Sequence, residues 1–124
     1  MFEPVAFPST FFSVEQASGI YVVVLNREQL TDDDNLEQFA QDFQLLIEKY
    51  EIKRLVIRLN QVRYMTSSAI GRLITLHRKM IRSESLLVLS EPTKDVQTIL
   101  DTARLLNYFK VRHTLDESLA LCAS

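Results

Sequence analysis

Three consecutive hydroxyl residues, Thr66, Ser67 and Ser68, stand between a strongly apolar segment and a long amphipathic one in the stretch RYMTSSAIGRL (63–73). Such hydroxyls serve as nucleophiles when a base activates them, as phosphate acceptors, or as helix caps. A hydrolase nucleophile needs a sharp turn with glycine on both sides of the serine, and MTSSAIG supplies only Gly71, too late for that turn. A base is also missing. His77 lies roughly ten residues beyond Ser67, about 15 Å along a helix rising 1.5 Å per residue, and it falls on an apolar stripe that suits core packing. His113 has no evident partner and reads as a surface histidine.

Other chemistry is equally short of residues. Asp32, Asp33 and Asp34 are consecutive, so their carboxylates point in different directions and no fixed set of further ligands joins them. They are expected to cap a helix and favour the positive end of its dipole rather than hold a cation. The two glycines, at 19 and 71, form neither a phosphate loop nor a dinucleotide fingerprint. Cys122 is the sole cysteine, which excludes a disulfide framework or a thiolate metal site and fits a reducing compartment. No cofactor, no metal and no enzymatic activity are expected.

The elements that position the hydroxyls follow from patterning. A chain of 124 residues with 47% hydrophobic and 24% charged residues suits one soluble domain, here 1–124, with 1–10 read as an N-terminal extension and 11–124 as the core. The net charge of -2 gives no reason to expect nucleic acid as a partner. MFEPVAFPSTFF has no basic region or continuous apolar stretch, and no segment approaches the roughly 18 apolar residues of a membrane span. A cytoplasmic protein with no membrane association is expected.

FFSVEQASG and IYVVVLN read as an antiparallel hairpin about Gly19. Leu36, Phe39, Ala40, Phe43, Leu46, Ile47 and Tyr50 recur at helical spacing after the Asp run. KRLVIRL is a buried strand, and Ile70, Leu73, Ile74, His77, Met80 and Ile81 mark a second helix. SLLVLS is a strand; Val96, Ile99, Leu100, Ala103 and Leu106 mark a third helix; YFKVRH is a fifth strand and DESLALCA a last helix. The order ββαβαβαβα predicts an α/β domain with a mixed, mostly parallel five-stranded sheet and about four helices.

That order puts the hydroxyls at the carboxyl edge of a parallel sheet, where functional sites of open α/β sheets gather. One cap, from Thr66 or Ser67, is worth on the order of 1 kcal/mol and needs one hydroxyl. Further exposed hydroxyls at a helix N-terminus make a place where a phosphate is stabilised by free amides and the dipole, so covalent phosphorylation suits the site.

The segment RLNQVRYMTSSAIGRLITLHRKM is similar to the phosphosite segment of STAS domains, the bacterial anti-sigma factor antagonists. The family's run Met-Asp-Ser-Ser-Gly-Leu-Gly has Met65, Thr66, Ser67, Ser68, Ala69, Ile70 and Gly71 in its places, and the strand and helix order, LVLSEP and DESLAL resemble the same domain. The resemblance implies a partner-switching protein, not an enzyme. It implies binding to an anti-sigma factor that is itself a serine kinase of the histidine-kinase-like ATPase type, phosphorylation at Ser67 with Ser68 and Thr66 as alternative acceptors, and reversal by a serine phosphatase. Asn60, Arg63, Thr66, Ser67, Ser68 and Arg72 would form the partner-binding surface of a monomer that makes heterocomplexes. The chain departs from the family at Thr66 and at Arg58, each in place of an acidic residue, and at Ala69 in place of glycine; with Arg63 and Arg72 this makes the site locally basic. The alternative is an unphosphorylated STAS scaffold or sensory module that binds a protein or small ligand.

Overall fold

The computed structural model describes residues 2–124. A six-stranded sheet runs in the order β1-β2-β3-β5-β7-β8. Its members are β1 (Glu3–Val5), β2 (Phe12–Ala17), β3 (Ile20–Leu25), β5 (Arg54–Arg58), β7 (Leu86–Ser90) and β8 (Lys110–Arg112). The two remaining strands, β4 (Gln29–Leu30) and β6 (Tyr64–Met65), pair with each other in parallel, apart from the main sheet. The helices are α1 (Leu36–Tyr50), α2 (Ser67–Arg82), α3 (Lys94–Thr102) and α4 (Leu115–Ala123). None is long and apolar enough to cross a membrane among the described residues.

The α/β class, the four helices and the mixed sheet match the sequence reading. β2 and β3 are antiparallel, joined through Ser18 and Gly19 at φ 52° and 79°, a two-residue turn with both positions left-handed, as the right-handed twist of a hairpin favours. A Cβ at Gly19 would stand 3.0 Å from the Arg54 guanidinium, which would have to give by a few tenths of an ångström while it donates to the carbonyls of Ser18 and Cys122 at 3.1 and 3.2 Å. From β3 onward, β3–β5, β5–β7 and β7–β8 are parallel, because each return passes through a helix.

Burial on both faces explains the continuous apolar runs of these strands. Val23, Leu25, Leu55, Ile57, Leu87 and Leu89 pack into the main core with Phe39, Phe43 and Leu46 of α1 and Leu73 and Met80 of α2. The alternate residues Ile20, Val22, Val56 and Val88 form a second core with Cys122 of α4. Burial there raises the Cys122 thiol pKa, with Arg54 opposing it.

Four expectations are corrected. The main sheet has six strands rather than five, because residues 3–5, within the stretch read as an extension, pair antiparallel with β2. The Asp run does not cap α1. Asn35 does, its side chain accepting from the Gln38 amide at 3.0 Å, while Asp34 accepts from the Thr31 amide at 2.8 Å and pairs with Arg27 at 3.0 Å. Ile81, placed on the buried stripe of α2, is 56% exposed, one position past the angular reach of the core contact. α3 stops at Thr102, so Ala103 is its exposed C-cap and Leu106 lies beyond the helix.

His77 is buried as expected, its ring 5.2 Å from both the Tyr108 and the Phe109 ring centroids, and its Nδ1 has no hydrogen-bond partner. Burial lowers its pKa below the ordinary 6.5, with the Tyr108 backbone opposing and Lys110 reinforcing the shift. The folded protein therefore binds less proton than the unfolded chain as pH falls through 6.5, so stability contributed by neutral His77 is full above that pH and declines below it. Thermal melts between pH 7.5 and 5.5 should show a larger loss of Tm for the wild type than for His77→Phe. Equal losses would contradict the burial assignment.

Candidate functional site

The hydroxyl segment is placed by three consecutive pieces of backbone. β5 ends at Arg58, the chain turns through Leu59 to Val62, and β6 then anchors Tyr64 and Met65 against β4. The amides of Arg63 and Tyr64 both donate to the Glu28 carbonyl, at 2.7 and 3.2 Å, and the Thr66 amide donates to the Leu30 carbonyl at 3.0 Å. This small ribbon ties the loop before α2 to the loop before α1, so the starts of both helices are held together.

Thr66 is the N-cap of α2, extended at φ -78° and ψ 166°. Its Oγ1 accepts from the Ala69 amide at 3.4 Å and donates to Asp32 Oδ1 at 2.9 Å. With the cap taken, Ser67 and Ser68 are the first two residues of the helix. Both are exposed, and no side-chain hydrogen bond among the described residues engages either hydroxyl. Amides of the first helical turn are free of intrahelical partners, which makes the surroundings of Ser67 favourable to an anion. The first turn of α2 holds no acidic residue to oppose one.

Ser67 and Ser68 border a shallow groove whose opposite wall is α3, through Thr98, Ile99 and Thr102; Tyr64 and Asp32 complete it. Tyr64 is 48% exposed. It is an apolar surface with a polar tip beside two serines, the kind of side chain that anchors protein interfaces. The sequence reading did not single out Tyr64, Thr98 or Thr102. The first sits in a two-residue strand with no periodicity to announce it, and the others come to the groove only through tertiary packing of α3.

The remaining residues of the expected surface are distributed more widely. Asn60 is exposed in the turn after β5. Arg63 is exposed and reaches Asp95 at 3.6 Å, with the two side chains 69% and 62% exposed, so the pair is screened and weak. Arg72 borders a different groove, between α1 and α2, with Glu37 and Lys79. Arg58 is engaged by Glu91, Nε to Oε1 at 2.7 Å and Nη2 to Oε2 at 2.9 Å. That bidentate bond is the chief cause of the raised Arg58 pKa. Arg58 and Glu91 thus join the ends of β5 and β7, with Glu91 held in the left-handed region at φ 57°. His113 is exposed and His77 lies in the core, away from the groove. No group of three His, Cys, Asp or Glu residues is arranged to hold a metal ion among the described residues.

The STAS domain family model matches residues 12–118, which include every element from β2 to the middle of α4. The chain belongs to the STAS domain family. No curated protein sequence matches it, but several solved structures superpose well. An anti-sigma factor antagonist from Mycobacterium paratuberculosis has a TM-score of 0.79 at 18% identity, covering 91% of this chain and 93% of the other. The Bacillus cell fate determinant SpoIIAA in its phosphorylated form gives 0.64 at 16% identity, covering 88% and 96%. A sulfate transporter family protein from Wolinella succinogenes gives 0.71 at 14% identity, covering 86% and 87%. These likenesses establish the STAS fold over nearly the whole chain.

Separate roles for Thr66 and Ser67 make a direct stability test. Thr66→Ala should cost about 1 kcal/mol, the usual value of an N-cap hydroxyl, and Thr66→Ser should restore most of it. Ser67→Ala should stay within about 0.5 kcal/mol of wild type, as for an exposed residue without bonds. Urea melts check both. The reverse ranking would move the cap to Ser67.

Proposed function

We propose that this STAS domain is an anti-sigma factor antagonist working by partner switching. It binds an anti-sigma factor that is itself a serine kinase of the histidine-kinase-like ATPase type, and it is released when that kinase phosphorylates Ser67. The observation that carries this reading is the division of labour at the start of α2: Thr66 supplies the cap, leaving Ser67 exposed and unbonded at the border of a groove. A serine committed to a cap would have to break that bond before accepting a phosphate. Ser67 has no such cost.

In the transfer, Ser67 Oγ forms a bond to the γ-phosphorus of ATP held by the partner, the bond from that phosphorus to the β,γ-bridging oxygen breaks, and ADP leaves. The hydroxyl proton passes to a base of the partner or to water. The product carries about -1.5 to -2 charges, held beside the free amides of the helix start. On a surface that meets the partner directly, a dianion must be desolvated and disrupts the fit, at several kcal/mol when it lacks a cation opposite. A serine phosphatase restores the hydroxyl and the binding. Arg63, just before Tyr64 in the chain, is only weakly held by Asp95 and is free to reorient toward a partner. Tyr64 is the natural anchor in the groove, and its contact with the partner sets affinity rather than the switch.

Calorimetric titration of the chain with its anti-sigma kinase separates these roles. Ser67→Asp should bind at least about tenfold more weakly, Ser67→Ala should bind like wild type and resist release by ATP, and Tyr64→Ala should lose about tenfold or more without affecting phosphorylation chemistry at saturation. If Ser67→Asp binds as tightly as wild type, the switch assignment fails and the groove acts as an unphosphorylated docking site of a scaffold module.

A further inference from the structure

We propose that Asp32 senses the charge state of Ser67 and relays it to the loop that opens α1. The inference rests on reading Ser67 as a phosphate acceptor and adds the route by which the modification acts on the rest of the domain.

The three carboxylates of the Asp run have different attachments. Asp34 is spent on its own loop, through the Thr31 amide and Arg27. Asp33 contributes only its backbone amide, which donates to Thr31 Oγ1 at 3.2 Å. Asp32 alone reaches across to the other loop, accepting the Thr66 hydroxyl proton at 2.9 Å, and it makes no ion pair among the described residues. It borders the same groove as Ser67.

Thr66 has one hydroxyl proton and two acceptor lone pairs. The cap uses a lone pair and does not compete for the proton. The bond to Asp32 uses the proton, and so would a bond to a phosphate oxygen on the adjacent residue. A phosphate on Ser67 therefore acts on Asp32 twice: it competes for the only donor holding that carboxylate among the described residues, and its negative charge repels that carboxylate across a groove whose lining holds no Lys or Arg. The cap survives and the inter-loop bond breaks. Residues 31–35 then lose their side-chain attachment to α2, while the residues before them stay tied to β6 through the Glu28 and Leu30 carbonyls and the β4–β6 pairing. The consequence is a loosened start of α1, which begins at Leu36 directly after its cap Asn35.

The test installs phosphoserine at position 67 during synthesis, which needs neither kinase nor partner, and follows amide hydrogen exchange by NMR. In the phosphorylated chain, amides of Thr31–Asn35 and of Thr66 should exchange roughly fivefold to tenfold faster than in the unmodified chain, with Leu55–Ile57 of β5 unchanged as a fold control. In Asp32→Asn the side-chain oxygen still accepts from Thr66, the charge is gone and the amide group can donate to the phosphate, so the acceleration should vanish. Thr66→Ser, which keeps the hydroxyl, should preserve it. Unchanged exchange on phosphorylation would overturn the proposal, and so would equal acceleration in wild type and Asp32→Asn. A kinase that fails to label Ser67 bears instead on the proposed function, since phosphoserine is introduced here independently of it.

Discussion

The hydroxyl of Thr66 organises the whole region. One oxygen accepts from the Ala69 amide and donates to Asp32, so the same atom starts α2 and ties its start to the loop before α1. Because that oxygen serves as the cap, Ser67 and Ser68 need no internal partner and are left to solvent in the first turn. A different choice of cap residue would move the free hydroxyls by one position, rotating them about 100° around the helix at 3.6 residues per turn. The display of the serines is therefore a consequence of local helix chemistry, not of the sheet alone.

The sheet contributes position and rigidity. Parallel strands β5 and β7 are buried on both faces, which fixes where their carboxyl ends lie, and the Arg58–Glu91 pair fastens those ends together. In a family pattern with an acidic residue in the preceding strand, an arginine there alters the local charge. In this chain Glu91 answers it directly with a bidentate bond, so the substitution adds little free positive charge near Ser67. Arg72 likewise faces the groove between α1 and α2 rather than the serine groove. The basic neighbourhood inferred from sequence proximity reduces to Arg63, itself loosely paired with Asp95.

What was legible in the sequence was what repeats. Continuous apolar runs exposed the parallel strands, helical spacings of Val, Ile, Leu and Phe exposed the first three helices, and Gly19 between two apolar segments announced the hairpin. Features without a period stayed hidden. β4 and β6 are two residues each, stabilised by pairing with one another and not by propensity, and β1 contains a proline, which propensity alone argues against. Asn35 rather than an aspartate is the cap because the helix begins at Leu36, while Asp34 and Asp32 are engaged by Arg27 and Thr66. Such competition among nearby side chains is decided in three dimensions. The site divides the same way: the hydroxyl triplet was legible from its place between strand and helix, while its opposite wall on α3 and the Asp32 contact depend on packing between segments far apart in the chain.

Site-mapped mass spectrometry after incubation with ATP and the proposed anti-sigma kinase measures the central claim most directly. A single phosphate on the peptide that contains Thr66, Ser67 and Ser68, absent in Ser67→Ala and retained in Thr66→Ser, is the result expected when Thr66 is the cap and Ser67 the acceptor. Phosphate on Thr66, or stable binding to the kinase with no modification at all, would contradict it.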